Sequence, residues 1–306
     1  MIEWLHPSVF LIFGALLIPL FRGRVQQIYT ILLPALALVT VMLMSTGVHG
    51  AVKFLGFELI FGRADKLSLA FAYVFSIAAL IGAIYAMHVK DVSQHIAAFV
   101  YAGSSIGVTF AGDLITLFVF WELMAFASVW LIWARRVKPS IEAGYRYLLV
   151  HAVGGVVLLA GIVILASTTG SISFDKLQGH GIASTLILIG FMLNAAVPPL
   201  HAWLTDAYPE ATVTGAVFLS AFTTKTAVYA LIRGYPGTEI LIWMGTIMAL
   251  YGVVFAVLAN DIRRLLGYHI ISQVGYMVAA VGMGTALAIN GAVAHAFTHI
   301  LYKGLL

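Results

Sequence analysis

Apolar stretches of about 18 residues or more recur from one end of this chain to the other, and that pattern leaves few folds open. A segment so long and so poor in charge crosses a bilayer as a helix, because a helix satisfies its own backbone N–H and C=O groups where no water can. Eleven spans are read at roughly 5–21, 27–47, 67–87, 95–111, 113–134, 143–167, 183–203, 212–232, 240–259, 270–287 and 290–306. Of the 306 residues, 62% are hydrophobic and 9% charged. A soluble domain carries about 25% charged residues, so these are too few to clothe a water-exposed surface. The expected fold class is all-α: one polytopic transmembrane helix bundle with no separate soluble domain. The net charge of +4 is no argument for nucleic acid, since the basic residues sit mostly between spans. The lack of cysteine excludes disulfides and thiolate metal or iron–sulfur sites. The first apolar run has no basic stretch before it and no small-residue cleavage site after it, so it reads as a retained span.

Most linkers are very short. Two are longer. Residues 48–66, "VHGAVKFLGFELIFGRADK", alternate apolar and polar side chains between glycines and predict a β-hairpin on the membrane surface. Residues 168–182, "TTGSISFDKLQGHGI", read as a polar, turn-rich loop. The loops after spans 1, 3, 5, 7 and 9 hold Arg22, Arg24, Lys90, Arg135, Arg136, Lys138, Arg263 and Arg264; those after spans 2, 4, 6 and 8 hold Lys53, Arg63, Lys66, Lys176 and Arg233. Eight against five favours the first set on the cytoplasmic side, with the N-terminus outside. In span 7, Pro198 and Pro199 of "NAAVPPLHAWLTDAYPEA" are expected to break the helix. Such a break is tolerated where protein or a water cavity receives the freed backbone groups. It reads equally as a transport-related feature or a plain kink.

A charge at mid-membrane costs about 2.5–3.5 kcal/mol on insertion scales, which makes each one informative. Glu122 is the lone acid of "DLITLFVFWELMAFASVWLIW" after its first residue, and burial disfavours its charged form unless a cation lies near. Lys225 lies in "TVTGAVFLSAFTTKTAVYALI" among Thr223, Thr224 and Thr226, too deep to snorkel easily. Either could switch charge as a proton comes and goes, or form a structural ion pair; contact between the two is not legible from sequence. His295, His299 and Lys303 follow one another at steps of four, on one helix face. Two histidines at that spacing suit a metal, but no glutamate or cysteine accompanies them and the lysine would repel a cation. A proton wire is favoured, since histidine titrates near neutrality and has two ring nitrogens; a structural hydrogen-bonding role stays open. His151 either lines a wet path or bonds a neighbouring helix. His201 and Asp206 flank the break, as a channel mouth or as surface chemistry. Tyr145, Arg146 and Tyr147 read as an interface anchor, Asp261, Arg263 and Arg264 as a solvated turn, His269 as a group at the membrane edge, and the glycines of spans 6 and 10 as helix packing. No phosphate-binding loop, catalytic triad, haem pattern or metal set is found, so no catalytic residue and no cofactor is expected.

In chain order, "FVFWELMAFASVWLIWA", "PPLHAWLTDAYPEA", "AFTTKTAVYALIRG", "NDIRRLLGYHIISQVGYM" and "HAFTHILYKGLL" resemble signature stretches of the proton-conducting antiporter-like membrane subunits of complex I, membrane-bound hydrogenases and Mrp-type Na⁺/H⁺ antiporters. "GYHIISQVGYM" and "HILYKGLL" are most similar to the D-type subunits of Mrp antiporters. The resemblance implies about fourteen spans, of which eleven are present, built on inverted five-helix repeats: an N-terminal unit 1–94, a first repeat 95–232 and an incomplete second repeat 240–306. It implies a C-terminally truncated fragment, cut through the second repeat. It further implies a relay in which Glu122 matches the family's fifth-span glutamate, Lys225 its eighth-span lysine, and His295, His299 and Lys303 its central positions. Where the family has a seventh-span lysine this chain has Asn194, an amide that cannot titrate but can orient water.

The implied function is proton translocation within a multisubunit Na⁺(cation)/H⁺ antiporter of a bacterial inner membrane. The implied partners are other membrane subunits, protons, Na⁺ and the lipid bilayer, and the sequence does not name the coupled cation. A proton-pumping, non-redox subunit of a hydrogenase or complex I-like enzyme is the alternative. A structural subunit with a decayed relay is another, and a metal transporter using His295 and His299 a third.

Overall fold

In a computed structural model, residues 5–54 and 56–306 are described. The first four residues of the expected unit 1–94, and Leu55, lie outside the described residues. The helices in chain order are α1 Pro7–Leu17, α2 Gly23–Leu43, α3 Lys66–Tyr85, α4 Val92–Phe110, α5 Leu114–Trp133, α6 Lys138–Thr169, α7 Gly181–Asn194, α8 Ala202–Ala207, α9 Val213–Ala221, α10 Thr223–Gly234, α11 Ile240–Leu258, α12 Ile262–Met283 and α13 Ala286–Leu305. Strands β1 Gly47–Phe54 and β2 Phe57–Ala64 pair antiparallel as the predicted hairpin. Each of the eleven spans read from sequence holds a helix, and among the described residues seven helical segments are long and apolar enough to cross a membrane. The chain is a multi-pass helical membrane bundle.

The loops sort onto two faces, as alternating spans require. On one, the Asp113 carboxylate accepts from Ile60 N of β2 (2.7 Å), and Arg63 donates to Phe174 O (2.9 Å) and Asp175 (2.7 Å). Gln178 reaches Pro236 O (2.6 Å), and Arg233 grips Asp65 through two nitrogens at 2.8 and 2.9 Å. The opposite face joins Arg136 to Asp91 (3.1 Å), Arg135 to Glu210 (2.6 Å) and Arg146 to Asp206 (2.7 and 2.9 Å).

Span 7 breaks as expected, but earlier than the prolines themselves. A proline ring clashes with the carbonyl four residues before it, and for Pro198 that residue is Asn194, where α7 ends. Ala196 takes a positive φ of 58°, the Pro198–Pro199 bond is cis, and Trp203 Nε1 donates at 3.0 Å to the Leu193 carbonyl, which also accepts from Ala196 N. Span 8, expected to be continuous, is also broken. The Thr223 N–H leaves the helix ladder and donates to the Tyr101 hydroxyl (2.9 Å), separating α9 from α10. The β-branched Thr223, Thr224 and Thr226 have weak helix propensity and offer little resistance. Span 10 starts eight residues sooner than expected, because Asp261 caps Arg264 N (2.9 Å) and draws the basic pair into the first turn of α12. Arg263 is accordingly no solvated turn residue: it donates to Pro209 O and Ala211 O at 3.0 and 2.8 Å.

Burial ranks the spans. In the most apolar window of the α9–α10 span 89% of residues are buried inside the protein, against 28% for α2 and for α11. The α10 half, which packs against α3, α4, α7, α12 and α13, is the axis of the bundle. The peripheral spans face outward, towards lipid, with side chains such as Leu43, Val257 and Leu287.

Candidate functional site

The axis helix carries Lys225, and the side chain is fully buried. Its ammonium does not pair with Glu122. It reaches back across the α9–α10 break and donates to Ser220 O at 2.6 Å, a carbonyl the break leaves without a helix partner. The break thus supplies the one kind of acceptor that an isolated buried cation needs. Thr224 and Thr226 hydroxyls beside it are buried and have no hydrogen-bond partner.

Glu122 projects from α5 onto α6. Its carboxylate lies over Gly155, where a Cβ would collide with it; neighbouring Gly154 lies against Leu193 of α7. Gly161 and Gly190 serve close packing between α6 and α7, as do Gly245, Gly252 and Gly275 between α11 and α12, but Gly155 makes room for a functional group. The Oε1 atom of Glu122 is buried without a hydrogen-bond partner, and the residue makes no ion pair among the described residues.

One turn from Gly155 on the same helix sits His151, buried, with Nδ1 3.0 Å from Tyr147 O and Nε2 unpartnered. Its ring stacks on Tyr147 (centroids 4.0 Å apart) and meets the edge of Trp203 at 4.6 Å. Tyr147 itself corrects the reading of an interface anchor. Tyr145 is exposed and Arg146 binds Asp206 at the rim, but Tyr147 faces inward with its hydroxyl 2.8 Å from Ser128 Oγ. Asn194 is buried at the end of α7, its Nδ2 without a partner. His201 turns its ring edge to Tyr251 of α11 at 4.6 Å, so it belongs to the wall of the break rather than to an open surface.

On α13 the expected face forms. His299 is fully buried with both ring nitrogens unpartnered, and Lys303 is buried one turn on. His295 Nε2 lies 2.9 Å from Gln273 Oε1, which also accepts from Tyr302 at 3.3 Å. Lys303 Nζ meets His269 Nδ1 at 3.2 Å, and the His269 ring stacks over His299 with centroids 6.4 Å apart. A lysine ammonium only donates, so this nitrogen of His269 is the acceptor. Lys225 and Lys303 are near enough to interact electrostatically. Among the described residues no three His, Asp or Glu side chains converge on a point that could hold a metal ion.

Sequence reasoning misses His269 and Gln273 as site residues, because a span that starts at 270 leaves His269 outside the helix. The signal is present in "GYHIISQVGYM": His269, Gln273 and Tyr276 recur at helical spacing on one face of α12, as His295, His299 and Lys303 do on α13.

A family described as NADH:quinone oxidoreductase/Mrp antiporter, transmembrane, matches residues 111–306. The chain is 33% identical over 230 residues to the D-type subunit of the Na(+)/H(+) antiporter of Alkalihalophilus pseudofirmus, covering 68% of this chain and 46% of that protein. It is 32% identical over 220 residues to the N-type subunit of the NADH-quinone oxidoreductase of Desulforudis audaxviator, covering 65% and 44%. The chain thus spans less than half the length of these curated relatives. Its fold is similar to that of a chain in the Mrp complex from Dietzia sp., with a TM-score of 0.88 at 23% identity over 98% of this chain and 62% of that one.

Proposed function

The chain belongs to the NADH:quinone oxidoreductase/Mrp antiporter family of transmembrane subunits, and from that premise we propose that it is the proton-translocating subunit of a multisubunit Na⁺(cation)/H⁺ antiporter in a bacterial inner membrane. Protons load at Glu122, pass to Lys225 and move along His269, His299, Lys303 and His295. Residues 95–232 act as one five-helix repeat and 240–306 as part of a second. The observation that carries this reading is the concentration of ionisable groups where burial is greatest. Lys225 lies on the axis helix, fully enclosed and without a carboxylate partner, and His299 is equally enclosed beside it. A purely structural bundle gains nothing from such groups, since each is costly to bury. Histidine and lysine with free acceptor or donor capacity suit proton transfer.

The antiporter assignment rests on similarity to the D-type antiporter protein. The nearly equal identity to the N-type oxidoreductase protein supports a second reading, a proton-pumping subunit of a redox-driven complex. Neighbouring genes separate the two: a run of small membrane subunits accompanies an antiporter, iron–sulfur subunits a redox pump. In the assembled complex reconstituted into vesicles, Glu122→Gln is expected to abolish cation-driven proton flux while leaving assembly intact. Undiminished flux would reject the relay and favour a scaffold role.

A further inference from the structure

Glu122 and Lys225 do not touch, and the group nearest in sequence to the span-7 break, Asn194, cannot carry a proton. A different set of side chains lies between them. Helices α5 and α6 run antiparallel, and along their seam Glu122 at Gly155 is followed by His151, one turn nearer the α6 N-terminus, and then by the Tyr147–Ser128 hydroxyl pair, one turn further. From there the polar atoms cross to the axis helix. Thr223, the first residue of α10, is 2.6 Å from the Tyr101 hydroxyl, and the Tyr147 and Tyr208 hydroxyls lie near enough to Thr223 to interact with it. Tyr101, Ser128, Tyr147 and Thr223 are all buried, and the Tyr208 hydroxyl is buried without closing a hydrogen bond. Thr223 stands two residues before Lys225, at the break that Lys225 spans to reach Ser220 O. We propose that this seam — His151, Ser128, Tyr147, Tyr101 and Thr223 — is the proton connection between Glu122 and Lys225, running around Asn194 rather than through it.

The chemistry of each member fits. A backbone carbonyl only accepts, so the Nδ1 contact to Tyr147 O places the histidine proton on Nδ1 and leaves the Nε2 lone pair free inside the seam. That nitrogen takes the proton from Glu122 and releases it from the same atom. Each hydroxyl then accepts one proton and passes its own to the next. Once Lys225 has passed its own proton on towards α13, the neutral amine gains the proton that Glu122 lost, and the seam is left with its hydrogen bonds reversed in sense. A buried cluster of four or five hydroxyls is costly unless its members satisfy one another; the Tyr101 hydroxyl also accepts the Thr223 N–H at the break, whereas the Tyr147 and Ser128 hydroxyls pair with one another.

This inference rests on Glu122 and Lys225 being the relay, and the test separates the two. In the assembled complex in vesicles, Thr223→Val, equal in shape and lacking the hydroxyl, should lower proton flux at least tenfold. Thr223→Ser should restore most of it, which a packing role would not. Tyr147→Phe, combined with Ser128→Ala so that neither hydroxyl is left alone, should give the same loss and provides an independent reading if Thr223→Val fails to assemble. If these variants keep flux within twofold of the parent while Glu122→Gln is inactive, the seam is refuted and the relay stands. If Glu122→Gln remains active, both fall.

Discussion

Lys225 and Lys303 are both buried lysines, but the protein holds them differently. Lys225 donates to the carbonyl of Ser220, which accepts a hydrogen bond and can never accept the proton itself. Lys303 donates to Nδ1 of His269, which can do both. A carbonyl fixes an ammonium in place; an imidazole offers it somewhere to send its charge. The first lysine therefore reads as a station whose proton must arrive and leave by other groups, and the second as half of a transfer pair. The surroundings agree. Unpartnered threonine hydroxyls and the α9–α10 break lie around Lys225, whereas Lys303 opens onto a file of rings formed by His269, His299 and His295.

The sharpest way to break this comparison is to remove the station. Lys225→Met keeps an unbranched side chain one atom shorter and deletes the charge. Proton flux in vesicles should vanish, while thermal stability of the complex in detergent should stay level or rise, because an unpaired buried cation is replaced by an apolar side chain. A loss of stability with flux retained would make Lys225 a structural donor to Ser220 O and nothing more.

A smaller effect is expected at the transfer pair. His269→Phe preserves a ring against His299 but leaves Lys303 without its acceptor. Flux should fall roughly tenfold to a hundredfold, equivalent to about 1.5–3 kcal/mol for one hydrogen bond to a charged group. His269→Gln restores an acceptor that cannot carry a proton, so it should not recover flux. Recovery by glutamine would reduce His269 to a holder, and the contrast between the two lysines would disappear.

The pairing of His269 with Lys303 emerges only from the structure, which marks where sequence reading stops. The bundle, the hairpin at 47–64 and the break before Pro198 are legible, because length of apolar run, strand alternation and the missing N–H of proline are local properties. Glu122, Lys225, His299 and Lys303 are legible because a charge inside an apolar run is costly wherever it is packed. The partners are not. Whether His269 meets Lys303, or Tyr147 turns inward to Ser128 while Tyr145 and Arg146 face out, is set by helix rotation and by contacts between segments more than 30 residues apart or on neighbouring spans. The break at Phe222 is equally hidden, since it depends on Tyr101, 122 residues from Thr223, drawing away one N–H.

The smallest expected effect on transport comes from the other end of α10, where Arg233 shows what a purely structural cation looks like. Its side chain is 6% exposed, and it is tied to Asp65 by two nitrogens and to the Tyr229 hydroxyl at 2.9 Å. Burial works to raise the Asp65 carboxyl, but the hydrogen bonds and charge of Arg233 outweigh it and hold the group below its ordinary value. A depressed carboxyl contributes stability that is fully present above its unfolded pKa of about 3.9, and is lost as pH falls through the lower folded value. Asp65→Asn keeps the cap on Ser68 N, since asparagine caps as well as aspartate, and removes only the charge. It should cost about 1–3 kcal/mol, less than a fully buried pair because Asp65 remains partly solvated. The steepest part of the acid denaturation below about pH 4 should flatten accordingly. Flux per assembled complex should be unchanged. A transport defect as large as that of Lys225→Met would mean that α10 conducts along its whole length, and that Arg233 belongs with the two lysines rather than apart from them.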